Sequence, residues 1–130
     1  MDQDYKLRHF KNNYIRQIDP ELKIPLPESY KKKIEAGPKR WVIVPVQEGN
    51  ISCLEIMTEN MYRTQKKLTR ISPHKDDVEF RGRSRQLHLD GAGNLQISGK
   101  EATECFPSGR VRVAGLGDYF AIYPPRVLSR

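Results

Sequence analysis

Arg81, Arg83 and Arg85 stand at alternate positions in the segment Arg81-Gly-Arg-Ser-Arg85. In extended chain three guanidinium groups so spaced point the same way, a stripe suited to tracking phosphates. Arg8, Lys11 and Arg16 hold comparable places ahead of an earlier segment of the same kind. The plainer account of such a stripe is a solvated strand edge that discourages sheet-to-sheet association. Lys31-Lys-Lys33 falls in a short predicted helix, where a charge run is usually the wet face and adds at most a non-specific phosphate contact. Asp19 and Asp90 could be read as an acid–base pair, but no nucleophile or oxyanion donors accompany them. No phosphate-binding glycine loop, dinucleotide fingerprint or triad-like spacing occurs, so an enzyme is not expected. His74, Asp76 and Asp77 lack metal-ligand spacing and read as a polar loop, and no cofactor or metal is expected. Cys53 and Cys105 have no paired spacing, which suggests packing residues in a reducing compartment. His9 and His88 read as core or surface residues beside strands.

Composition bounds the possibilities. Of 130 residues, 23 are Lys or Arg and 16 are Asp or Glu, giving a net charge of +7 and favouring a polyanionic partner. The 37% hydrophobic and 30% charged content suits a folded chain with a modest core. No apolar run is long enough to span a bilayer, and residues 1–8 lack the apolar centre of a signal peptide. A cytoplasmic protein is the expectation.

The elements that would position these groups form an internal repeat. Tyr14-Ile-Arg-Gln-Ile-Asp-Pro-Glu-Leu-Lys-Ile-Pro-Leu26 matches Arg85-Gln-Leu-His-Leu-Asp-Gly-Ala-Gly-Asn-Leu-Gln-Ile97 at an offset of 71. Asp19 falls on Asp90, Ile18 on Leu89, Ile24 on Leu95 and Leu26 on Ile97. Each copy predicts strand, Asp-led turn, strand, with the two strands forming a hairpin. Asp19 and Asp90 accept from amides two residues on, Pro20 suits the second turn position, and Gly91 and Gly93 supply positive φ.

A short helix follows each turn unit. Pro27 to Ile34 places Tyr30 and Ile34 on one face, and Ser98 caps Lys100 to Cys105 with Ala102 and Cys105 facing the core. Next come paired strands, Trp41–Val46 with Ile51–Ile56 and Val111–Ala114 with Tyr119–Tyr123, in which Leu54 aligns with Phe120 and Ile56 with Ile122 at an offset of 66. Phe120 belongs to the core; Tyr119 and Tyr123 could stack on bases or fill it. A longer helix runs from about Thr58, its cap, to about Arg70, and Pro124-Pro125 cuts the second copy short.

This ordered set resembles the MraZ family of bacterial regulators. Val113-Ala-Gly-Leu-Gly-Asp-Tyr-Phe-Ala-Ile-Tyr123 is the segment most similar to the family's pattern, and the resemblance runs from about residue 8 to 125. It implies an α+β, mainly β fold: a tandem swapped-hairpin (AbrB-like) double-repeat barrel with short helices. The repeats would be residues 8–70 and 78–130, joined by a linker at 71–77. It further implies a sequence-specific transcriptional regulator of its own cell-wall and division operon. Such a protein would bind double-stranded DNA in the nucleoid as a homo-oligomeric ring, possibly an octamer. The turn positions Lys23, Gly93 and Asn94 are then expected to contact DNA, with Asp19 and Asp90 forming the turns, and Arg16, Arg81, Arg83 and Arg85 are expected contacts by their spacing. The family pattern Asp-x-x-x-Arg is altered in both copies: Lys23 and Asn94 stand where arginine is usual. Lys23 keeps charge without the bidentate fork, and Asn94 keeps only hydrogen-bonding capacity. A ring-forming scaffold that has lost operator binding is the alternative expectation.

Overall fold

Runs rich in Val, Ile and aromatic residues form long strands wherever both sheet faces are to be covered. In the computed structural model these are β3 (Trp41–Glu48) and β4 (Ile51–Thr58), with β8 (Arg110–Gly115) and β9 (Phe120–Tyr123) as their later counterparts. Residues 10–36, 39–71, 78–80 and 84–125 are described, those at 67–71 and 78–80 by their backbone. Shorter strands are β1 (Asn13–Gln17), β2 (Lys23–Pro25), β5 (Val78–Phe80), β6 (Arg85–Gln86) and β7 (Asn94–Gln96). Three helices complete the described elements: α1 (Glu28–Glu35), α2 (Glu59–Ile71) and α3 (Gly99–Cys105).

The predicted caps are present. Thr58 Oγ1 accepts from the Met61 amide at 3.2 Å and starts α2. Ser98 and Glu101 form a reciprocal capping box on α3.

The strands pair antiparallel in the order β1-β8-β9-β4-β3-β5, with β6 also against β3, while β2 and β7 make a separate two-stranded sheet. Pro45, which has no amide hydrogen, lies between the stretch of β3 paired to β6 and the stretch paired to β5. Two sequence expectations need correction. β1 and β2 do not form a hairpin ladder: β1 pairs with β8 and β2 with β7, so each takes a partner from the other repeat. The described strands also form an open sheet and not a closed barrel. The alternating pattern that suggested hairpins identifies a buried face, but alternation alone does not name the strand across the ladder.

Ladder registers reveal a local dyad. In the β4·β9 ladder Glu55 lies opposite Ala121, its equivalent at offset 66, and the flanking pairs are Leu54 with Ile122 and Ile56 with Phe120. In the β2·β7 ladder Ile24 lies opposite Leu95, its equivalent at offset 71. An antiparallel pair centred on equivalent residues is related by a two-fold rotation. The neighbouring ladders obey it too, with Tyr14 opposite Val113 and Arg85 opposite Ile43.

Each face of the large sheet is buried. One carries Ile43, Leu54, Ile56, Val111, Val113, Phe120 and Ile122, packed with Ile24 and Leu95 of the small sheet and with Tyr30 and Cys105 of α1 and α3. Val42, Val44, Cys53, Met57, Ala121 and Tyr123 cluster separately with Tyr62 of α2. Phe120 is fully buried, and Tyr123 lies in the core rather than offering a stacking face. Gly115 is required by close approach: a Cβ there would meet the backbone of Phe10 and Lys11 at 2.6 Å. No helix among the described residues is long and apolar enough to cross a membrane.

Candidate nucleic-acid interface

The two Asp-led turns are built alike, bond for bond. Asp19 Oδ1 accepts from the amides of Glu21 and Lys23, both at 2.9 Å, and Asp90 Oδ1 accepts from Ala92 and Asn94, both at 2.9 Å. The Asp19 amide donates to Lys23 O at 2.9 Å and the Asp90 amide to Asn94 O at 3.1 Å. Leu22 and Gly93 then donate to Asp19 O and Asp90 O, each at 2.9 Å. The carboxylates are thereby occupied as turn acceptors, which is the role the sequence assigns them.

Positive φ falls at the fourth residue of each turn, 65° at Leu22 and 80° at Gly93; Gly91 is not in that region, contrary to the expectation that both glycines supply it. A leucine is unusual there, since left-handed backbone costs it about 1–2 kcal/mol. Leu22 offsets this by packing against the main core, with its Cδ1 3.9 Å from where a Cβ on Gly99 would lie. At the second turn the sizes are reversed. A Cβ on Gly93 would lie 1.8 Å from Lys31 Cδ, because the Lys31 side chain crosses over that glycine. The Lys31 ammonium then donates to Ala92 O at 3.0 Å and pairs with Glu28 at 2.9 Å. Ala102 is the residue equivalent to Lys31 at offset 71, so the first turn has no counterpart of the crossing lysine.

The β2·β7 ladder brings the turns together around the dyad. Gln96 Nε2 donates to Glu21 O at 2.9 Å and Leu22 O at 3.1 Å, tying β7 to the first turn. Lys23 Nζ reaches Asp90 Oδ2 of the second turn at 3.1 Å and lies 4.0 Å from Glu21. Asn94 Nδ2 donates to the same Asp90 oxygen at 3.2 Å. The Asn94 amide first, and then the Lys23 ammonium, pull the Asp90 carboxyl down to about 2. Asp90 in turn raises the Lys23 ammonium above its ordinary value, with a smaller push from Glu21.

Of the residues expected at a DNA face, the fold gathers Lys23, Asp19, Asp90, Gly93 and Asn94 on this ridge. Two of them are engaged within the chain. Gly93 is buried beneath Lys31, and Asn94 turns its side chain toward Asp90. Arg85 is likewise engaged within the chain. Its guanidinium makes a two-pronged ion pair with Glu101 and donates to Gln96 O at 3.3 Å, fastening α3 to the ridge. Glu101 is already fixed by accepting from the Ser98 amide at 2.9 Å, so Arg85 is held as a structural brace. At the equivalent pair in the first repeat, Tyr14 and Tyr30 meet edge to face at 5.6 Å. Arg16 lies on β1 opposite Val111 of β8, with its guanidinium 5.1 Å from the centre of the Tyr14 ring. Arg81 and Arg83, and the polar cluster of His74, Asp76 and Asp77, lie outside the described residues. Sequence reasoning gave Lys31 only as a wet-face residue with at most a non-specific phosphate contact, and it missed Gln96 as a ridge residue. Their offset-71 counterparts are Ala102 and Pro25, so the repeat itself carried no signal for them.

Among the described residues no three His, Cys, Asp or Glu side chains are grouped to hold a metal. The chain matches no model of a known protein family and no curated protein sequence.

Proposed function

We propose that the chain is a double-stranded-DNA-binding regulator of the MraZ type, acting through the ridge that carries the two Asp-led turns. The observation that carries this reading is the joining of two identically bonded turns in one dyad-centred ladder, β2·β7. Duplex DNA is itself locally two-fold symmetric in its backbone, and a symmetric protein element can address both strands alike. A net charge of +7 favours the polyanion, and Lys23 and Lys31 supply ammonium groups on the ridge. A single ridge with so few cations binds weakly. Assembly into a homo-oligomeric ring presents several ridges to repeated sites and converts modest contacts into tight overall binding. In this reading the protein is nucleoid-associated and represses its own cell-wall and division operon. The repeats are residues 8–70 and 78–130 of a swapped-hairpin double repeat.

A second reading, a ring-forming scaffold without operator binding, is favoured by one observation. Lys23, Lys31 and Arg85 each have a carboxylate partner within the chain, namely Asp90, Glu28 and Glu101. Fluorescence anisotropy with labelled duplex from upstream of its own coding sequence separates the two. The regulator binds that duplex in preference to random duplex, with affinity that falls steeply as salt rises; the scaffold shows no preference.

A further inference from the structure

We propose that Asp90 is a built-in anion that competes with DNA phosphate for Lys23, so that the ridge engages a duplex only when a phosphate displaces this carboxylate. The inference rests on the DNA-binding reading above and concerns how that site is regulated.

The two ammonium groups of the ridge are not restrained alike. Lys31 pairs with Glu28, whose side chain is 69% exposed and free to swing into solvent when a stronger anion arrives. Asp90 cannot withdraw. Its Oδ1 is pinned by the Ala92 and Asn94 amides, so Oδ2 stays aimed at Lys23 for as long as the turn exists. The first turn has no such device: Asn94 is the equivalent of Lys23, and it too is directed at Asp90. Both polar side chains that succeed the turns are thus drawn to one carboxylate, and the second turn carries the pinned counter-ion, whereas Glu21 of the first turn stands 4.0 Å from Lys23 with its side chain 77% exposed. A fixed anion 3.1 Å from the ammonium offers the interaction a phosphate oxygen would make, with no loss of translational freedom. A lone phosphate therefore competes poorly, whereas a duplex held at several ridges competes well.

The test uses the full chain and labelled duplex from upstream of its own coding sequence. Asp90→Asn keeps an Oδ1 acceptor for both turn amides and removes the charge. Asp90→Ser, whose hydroxyl can accept from the same amides, is a second neutral variant in case the first does not fold. Circular dichroism and thermal melting establish that each variant is folded. Either neutral variant is expected to bind the duplex about 3- to 10-fold more tightly, and to steepen the slope of log K against log salt by about 0.9, one added phosphate. In a Lys23→Gln background the gain disappears, the coupling a double-mutant cycle isolates.

Affinity within about twofold of the parent, or an equal gain in the Lys23→Gln background, overturns the competition while leaving the DNA reading intact. No duplex binding by parent or neutral variants overturns both. Binding that emerges only in the neutral variants supports the competition in its strongest form.

Discussion

Two carboxylic acids respond to pH in opposite directions, and each does so for a reason visible in its surroundings. Asp90 is held down to about 2 by the Asn94 amide and then Lys23, so its contribution to stability is present above the ordinary aspartate value of 3.8. That contribution is lost as pH falls from there through about 2. Glu55 sits in the sheet opposite Ala121, only 5% exposed, and burial first, then the charge of Glu48, raises it to about 7. Unfolding frees it to ionise at its ordinary 4.5, so this residue weakens the fold as pH rises from 4.5 through about 7. The full penalty is on the order of 3 kcal/mol. Urea unfolding of Glu55→Gln against the parent is expected to show little difference near about pH 4 and a clear gain for the variant near about pH 8. Equal stabilities at both values would contradict the buried, neutral carboxyl. Nothing in the sequence marked Glu55: it stands in an apolar strand, and its burial depends on both faces of the sheet being covered.

At the scale of elements, the turn and cap chemistry determine what substitutions cost. Gly93→Ala must accommodate both positive φ and a Cβ driven into Lys31, and a loss of about 1–3 kcal/mol is expected in chemical denaturation. Gly91→Ala, with open space around it, is the contrasting control. Glu101→Ala removes one arm of the α3 capping box together with the partner of Arg85, so it is expected to lower the melting temperature more than Ser98→Ala. The opposite order would show that the Arg85 brace adds nothing. These local devices were readable from sequence. Asp at the head of each turn, Thr58 and Ser98 as caps, and Tyr30 and Cys105 on the inner helix faces all depend on neighbours within a few residues. The fate of Arg85 was not readable, because Glu101 lies sixteen positions away and meets it only through the fold.

On the scale of the whole molecule, the repeats complete each other. β1 finds its ladder on β8, β2 on β7, and β4 on β9, so neither segment contains all the partners of its own strands. A fragment ending at Ile71 is therefore expected to show no cooperative thermal transition by circular dichroism. Mixing it with residues 72–130 is expected to restore one, and a cooperative melt of the isolated fragment would contradict this interdependence. The sequence by itself determined the duplication, the Asp-led turns, the helix starts and the alternating apolar faces, since each arises from short-range sterics, local hydrogen bonds and side-chain period. Only the tertiary structure decided which strands are partners and where the cations go. Burial does not specify which of several similar strands lies across a ladder. An ammonium or guanidinium that looks free along the chain must be won by a ligand from any carboxylate that the fold brings against it from a distant segment.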